Sequence, residues 1–181
     1  MQNIICNKIR EDARIPMGRL EDVGRDIYCF FQEEDTKMEL LIPGDSIVLG
    51  TGLRTNFDSN YYLQIANKSS VGSKGLIVAG GVIDSGYTGE IKVPLFNISN
   101  KFILIIDDAK ITVEELELIE EDFYDCYPNG EIFLLRSKGL VQGILYPVPQ
   151  VEWLEVSDEE YEDKTSHCER GIGGFGSTDK K

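Results

Sequence analysis

Three stretches of this chain set hydroxyls, cations and glycines side by side. The first is Asn67-Lys68-Ser69-Ser70-Val71-Gly72-Ser73-Lys74-Gly75. Its serines and lysines could hold phosphate groups, or it could be a solvated loop between strands. The second runs from Gly81 to Ile91 around Asp84-Ser85-Gly86. An apolar approach, a turn and an apolar exit predict a β-hairpin. Asp84 is then either a turn residue or a carboxylate exposed at the tip, able to accept a proton. The third is Arg170-Gly171-Ile172-Gly173-Gly174-Phe175-Gly176-Ser177-Thr178, one cation, one aromatic ring and two hydroxyls among glycines. Glycines let backbone N–H groups approach a phosphate closely. The stretch is no P-loop, because no Gly-Lys-Ser/Thr follows and no helix starts after it. Alone it reads as a disordered tail, except that Phe175 wants a surface to cover. His167-Cys168 lacks the further ligands a metal site needs, and reads as an exposed pair.

These stretches need a scaffold, and most of the sequence predicts β-structure. Met38–Ile42, Ser46–Leu49, Tyr61–Ala66 and Ile91–Phe96 are short runs rich in Ile, Leu, Val, Tyr and Phe. Gly, Asp, Asn, Ser and Pro punctuate them, the pattern of a sandwich, jelly roll or barrel. Residues 108–130 break the pattern. Thr112 and Glu115 form a capping-box signature, and Val113, Leu116, Ile119, Phe123 and Cys126 follow at helical spacing. Glu114, Glu115, Glu117, Glu120, Glu121 and Asp122 fill most of the remaining positions, and Pro128-Asn129-Gly130 ends the helix. Strands resume at Glu131–Leu135 and Leu140–Val148, with Val151–Val156 following. The expected organisation is a β-domain over residues 1–156 with a helical insert near 108–130, an acidic linker over 157–169 and a Gly-rich arm over 170–181. The insert's apolar stripe, Leu116, Ile119 and Phe123, could pack on its own domain or dock a protein partner.

Composition narrows the function classes. The chain has 181 residues, 41% of them hydrophobic, with 18 Lys plus Arg against 32 Asp plus Glu and a formal charge of -14. So acidic a surface argues against non-specific nucleic-acid or anionic-membrane binding, but leaves room for a locally cationic pocket. No apolar run reaches the roughly 18 residues of a membrane span, and the N-terminus lacks a signal-peptide core. A cytoplasmic protein is expected, with Cys6, Cys29, Cys126 and Cys168 as free thiols.

Taken together, the stretches resemble the trimeric dUTPase family, whose motifs span most of the chain. Val23-Gly24-Arg25-Asp26-Ile27 is similar to the first motif, Ala-Gly-x-Asp-Leu. Lys68 to Lys74 resembles the second, Arg-Ser-Gly/Ser-x-x-x-Lys. Gly81 to Glu90 matches the third, Gly-x-Ile-Asp-x-x-Tyr-x-Gly, and Arg170 to Thr178 the fifth, Arg-Gly-x-Gly-Gly-Phe-Gly-Ser-Thr/Ser. Of the fourth, Gly-Asp-Arg/Lys-x-Ala-Gln, only Gln142 of Ser137-Lys138-Gly139-Leu140-Val141-Gln142 keeps its identity.

The resemblance implies an all-β, jelly-roll protomer in a homotrimer with shared sites. It implies hydrolysis of dUTP to dUMP and pyrophosphate, which keeps uracil out of DNA and supplies dUMP for thymidylate synthesis. Asp84 would orient and deprotonate the attacking water. Gly81, Val82 and Ile83 would read the uracil, and Tyr87 would pack under the deoxyribose and exclude a 2′-OH. Lys68, Ser69, Ser70, Gln142, Arg170, Ser177 and Thr178 would bind phosphates, while Phe175 and Gly176 close over the base. Mg2+ would sit on the triphosphate, reached by Asp26 through water. Three departures stand out: Lys68 replaces an arginine fork, Lys138 reverses an aspartate's charge, and the connection from Asn97 to Gln142 is long. Some phage-encoded members carry an insert at that point. The dCTP deaminases share the fold and a similar third motif but need a carboxylate ten residues beyond the Asp, where this chain has Pro94. A regulatory binding protein acting through the insert is the alternative of another class.

Overall fold

A computed structural model describes residues 3–169 and 171. The chain divides into two compact units, Met1–Val148 and Pro149–Lys181. The strands of the first unit are β1 (Ile5–Lys8), β2 (Arg25–Ile27), β3 (Met38–Leu41), β4 (Ser46–Gly50), β5 (Leu53–Asn56), β6 (Tyr61–Asn67), β7 (Leu76–Val78), β8 (Val82–Ile83), β9 (Lys92–Asn97), β10 (Ile103–Ile106), β11 (Glu131–Leu134) and β12 (Val141–Pro147). They are joined by two helices, α1 (Ser69–Gly72) and α2 (Val113–Cys126). Four small sheets result, with orders β1-β5, β11-β10-β3, β2-β12-β6-β8 and β4-β9-β7. This is the jelly-roll architecture expected of many short, alternating strands.

Alternation explains how the sheets share one core. In β6, Leu63 and Ile65 are buried while Gln64 and Ala66 on the opposite face are half-exposed. Ile27 of β2, Val93 and Leu95 of β9, Ile105 of β10 and Val141 of β12 meet them in the same cluster.

The insert folds as its local signals predict. Thr112 Oγ1 accepts from Glu115 N at 3.1 Å and Thr112 N donates to Glu115 Oε2 at 2.7 Å, a complete capping box. The helix spans 14 residues and links two parallel strands, since Ile103–Ile106 pairs with Glu131–Leu134 in register. A parallel pair needs a crossover, and α2 is that crossover. All four residues of β10 are buried, because Ile103 and Ile105 face the main core while Leu104 and Ile106 face α2. Leu116, Ile119 and Phe123 pack on Leu104, Ile106 and Leu134. The stripe that could have docked a partner is therefore occupied by the chain's own sheet.

Three expectations need correction. The segment from Gly81 to Ile91 is not a hairpin: β8 pairs with β6, whereas β9 pairs with β4 and β7 in another sheet. It is a crossover between sheets. Val151–Val156 forms no strand, and the expected acidic linker contains an eight-residue helix, α3 (Asp158–Thr165), with no buried residue. Ser157 Oγ accepts from Glu160 N at 3.3 Å, and Lys164 reaches Glu160 at 2.5 Å, so α3 is held by capping and one surface pair.

Candidate functional site

The sheet β2-β12-β6-β8 gathers four of the five sequence stretches. Gln142 lies opposite Asp26 on one side and Ala66 on the other. Residues directly opposite in an antiparallel sheet share a face, so Asp26, Gln142 and Ala66 form a row on the face turned away from the core. Neighbouring Ile27, Val141 and Ile65, pointing the other way, are buried. Lys68, one residue beyond β6, returns to that outer face, and its Nζ lies 2.8 Å from Asp26 Oδ2. Both side chains are partly exposed, so the pair contributes about 0–1 kcal/mol and can be exchanged for another anion at little cost. Gln142 Nε2 donates to Asn67 O at 2.8 Å, and Asn67 Oδ1 accepts from Val78 N at 2.6 Å. These contacts fix the end of β6 where the serines begin. Ser69 and Ser70 form the exposed first turn of α1, anchored below by buried Val71.

The loop before β12 closes this corner. A Cβ on Gly139 would stand 2.9 Å from Asp26 Cβ, so only glycine lets the loop lie against Asp26. Asp108 pins the same loop, accepting from Arg136 N at 2.7 Å and from the Ser137 hydroxyl.

Asp84 sits at the other end of the outer face. Ile83 pairs with Leu63, and Asp84 is the next residue, one past the end of β8. Leu63 is three residues of β6 from the Asp26–Gln142–Ala66 row, about 10 Å along a strand, and Asp84 lies beyond its partner Ile83. Asp84 is exposed, and its carbonyl accepts from Tyr87 N at 3.0 Å to close a turn. Tyr87 Oη donates to Glu90 O at 2.9 Å, and Glu90 Oε1 accepts from Gly52 N at 2.8 Å, which ties the crossover to the neighbouring sheet. Gly81 adopts φ +113 and a Cβ there would meet Ile65 O at 2.5 Å, while Ile65 N donates to Gly81 O at 2.7 Å. β8 ends its sheet, so one of its backbone edges has no strand partner among the described residues. Val82 is exposed on the outer face.

Thus Asp26, Lys68, Ser69, Ser70 and Gln142 converge at one end, and β8 leads away from it, from Gly81 beside Ile65 through Val82 and Ile83 to Asp84 and Tyr87. Arg170, Phe175, Gly176, Ser177 and Thr178 lie outside the described residues. A cleft of about 270 Å³ adjoins the first end, lined in part by Lys68, Ser70, Lys74, Glu120, Tyr124 and Lys138. Sequence reasoning missed Glu120 and Tyr124, because nothing local tells which side of α2 faces a site, and it noted Lys138 only as a departure. Glu131 borders this region. Burial opposes its ionised form, but hydrogen bonds and charge from Lys101 and Lys74 outweigh burial and hold its carboxyl below the usual range.

The dUTPase family model matches residues 13–113, just over half of the chain. The deoxyuridine 5'-triphosphate nucleotidohydrolase of Nautilia profundicola is 32% identical over 177 residues, covering 96% of each chain. A Pol polyprotein of Ovine maedi visna related virus is 31% identical over 170 residues, 93% of this chain, and the chain spans 12% of that polyprotein's length. Among solved structures, the dUTPase of Staphylococcus bacteriophage 80alpha with dUPNHPP matches with a TM-score of 0.62 at 21% identity, covering 97% of both chains. The native dUTPase of EIAV matches with a TM-score of 0.58 at 19% identity, covering 86% of this chain and 98% of its own. These two likenesses speak to the fold.

Proposed function

The chain belongs to the dUTPase family, and we propose that it hydrolyses dUTP to dUMP and pyrophosphate with Mg2+, in a homotrimer whose copies share each site. The observation that carries this reading is the outer face of one sheet, with phosphate-holding groups at one end and the Asp84 turn at the other. A separation of about 10 Å is too long for Asp84 to serve the same α-phosphorus as its own chain's Gln142 and Lys68. A second copy that brings its Asp84 to this chain's Lys68–Asp26 corner removes the difficulty.

In that arrangement Asp84 accepts a proton from a water as its oxygen bonds to the α-phosphorus. The bond from that phosphorus to the bridging oxygen breaks, and pyrophosphate leaves. Lys68, Ser69, Ser70 and Gln142 position the phosphates. The edge of β8 that has no strand partner among the described residues offers backbone donors and acceptors to the uracil edge, and Tyr87 fills the space a 2′-OH would need. Arg170, Phe175, Gly176, Ser177 and Thr178 complete the clamp over phosphates and base, excluding water. Among the described residues no three His, Cys, Asp or Glu side chains form a metal cluster. One carboxylate at the phosphate corner fits Mg2+ held chiefly by phosphate oxygens and water, with Asp26 reached through water. Mg2+ when bound neutralises charge on the triphosphate.

No helix of the described residues is long and apolar enough to cross a membrane, and we place the activity in the cytoplasm, where it keeps uracil out of DNA and supplies dUMP. The deaminase alternative is disfavoured by Pro94, which lies within β9 opposite Val48 and cannot shuttle a proton. The test is product analysis after adding dUTP or dCTP with Mg2+. Pyrophosphate from dUTP supports the reading, whereas ammonia from dCTP overturns it.

A further inference from the structure

We propose that Lys138 binds the terminal phosphates of the nucleotide, and then the pyrophosphate, in a cleft whose far wall is the inserted helix α2. This deepens the reading above and rests on it.

Three lysines line the cleft. Lys68 is engaged by Asp26 at 2.8 Å and Lys74 by Glu131 at 2.6 Å. Lys138 makes no ion pair or hydrogen bond with another described residue. Among the described residues it is therefore the one lysine of the cleft that an incoming anion can engage without displacing a carboxylate. Its side chain has no partner among the described residues, but its backbone is held. Asp108 fixes Arg136 and Ser137 before it, and Gly139 after it lies against Asp26. A charge on a fixed backbone reaches its ligand with less reorganisation than one on a loose loop.

The position also fits the direction of a triphosphate. The α-phosphate belongs at the Lys68–Gln142 corner, where the attacking water must reach it. From Lys68 and Ser70 the cleft runs to Glu120 and Tyr124 of α2, so the phosphates beyond the first extend toward the helix. Tyr124 is exposed there, and its hydroxyl has no partner among the described residues. Glu120 is half-buried on the same wall and opposes an anion. Lys138 favours the terminal phosphates and Glu120 works against them, a balance that lets pyrophosphate leave.

Calorimetric titration with inorganic pyrophosphate and with dUMP tests this on the full-length wild type and on Lys138→Ala, Lys138→Arg and Glu120→Gln. Loss of a charge-assisted hydrogen bond predicts that Lys138→Ala weakens pyrophosphate by about tenfold or more while dUMP affinity stays unchanged. Lys138→Arg should restore most of the loss, and Glu120→Gln should tighten pyrophosphate severalfold. The proposal is overturned if wild type does not bind pyrophosphate, if Lys138→Ala binds it as wild type does, or if dUMP affinity falls equally. Unchanged pyrophosphate affinity in Glu120→Gln overturns the role of α2 as the wall. Wild type that binds pyrophosphate but releases none from dUTP would refute the hydrolase reading separately.

Discussion

Replacing Asp84 by asparagine separates chemistry from structure. The side chain is exposed and makes no hydrogen bond or ion pair with another described residue, and the turn is closed by its carbonyl and Tyr87 N at 3.0 Å. Asparagine keeps that backbone contact and nearly the same volume. Stability should therefore change by no more than about 0.5 kcal/mol, the range of ordinary surface substitutions. Activity should behave otherwise. A positioned general base contributes roughly 10²–10⁴ in rate. At 1.36 kcal/mol per decade that is about 3–5 kcal/mol of barrier, far above the stability effect. The paired measurements are kcat from pyrophosphate release and the thermal unfolding midpoint of the same preparation. An Asp84→Asn protein with unchanged midpoint and a kcat within tenfold of wild type would show that Asp84 is a turn residue and that the proton goes elsewhere.

Phe123, 6% exposed in the α2 interface, should cost about 3–5 kcal/mol when replaced by alanine. Leu118→Asp on the exposed side should cost little, and equal effects in chemical denaturation would contradict packing of the insert on its own sheet. The lowered Glu131 carboxyl contributes stability above its ordinary titration range and loses it as pH falls through the lowered value. Glu131→Gln should cost about 1–3 kcal/mol at pH 7, and its difference from wild type should shrink as pH falls below about 4. A difference that grows in acid would refute that assignment. In native thiol titration exposed Cys126 and Cys168 should react fast. Cys29 should not react until unfolding, because burial pushes its thiol up to about 12.

What the sequence shows and hides follows from where each signal resides. α2 was legible because its capping box and 3.6-residue period are local. α3 carried a similar cue in Ser157 and Glu160, but without an apolar stripe the periodic reading overlooked it. The glycines and Asp-Ser-Gly around residue 84 mark a turn correctly. They cannot tell which strand receives the chain afterwards, and β9 joins β4 and β7 because Val93 and Leu95 complete the core there. Motif resemblance picks out Asp26, Lys68 and Gln142, yet their meeting depends on β12 lying between β2 and β6. The role of Asp108 in holding the Lys138 loop was invisible, since the contact spans 28 residues to Arg136.

In the proposed trimer one site draws Asp84 from one copy and the phosphate corner from another. Mixed trimers test it most directly. Asp84→Asn and Lys68→Ala/Gln142→Ala chains should each be nearly inactive alone. Co-refolded in equal amounts, they should regain about one quarter of wild-type pyrophosphate release, because that fraction of sites pairs an intact Asp84 with an intact corner. A mixture no more active than its parents, in trimers shown to contain both chains, would contradict the shared site and return Asp84 to its own chain's corner.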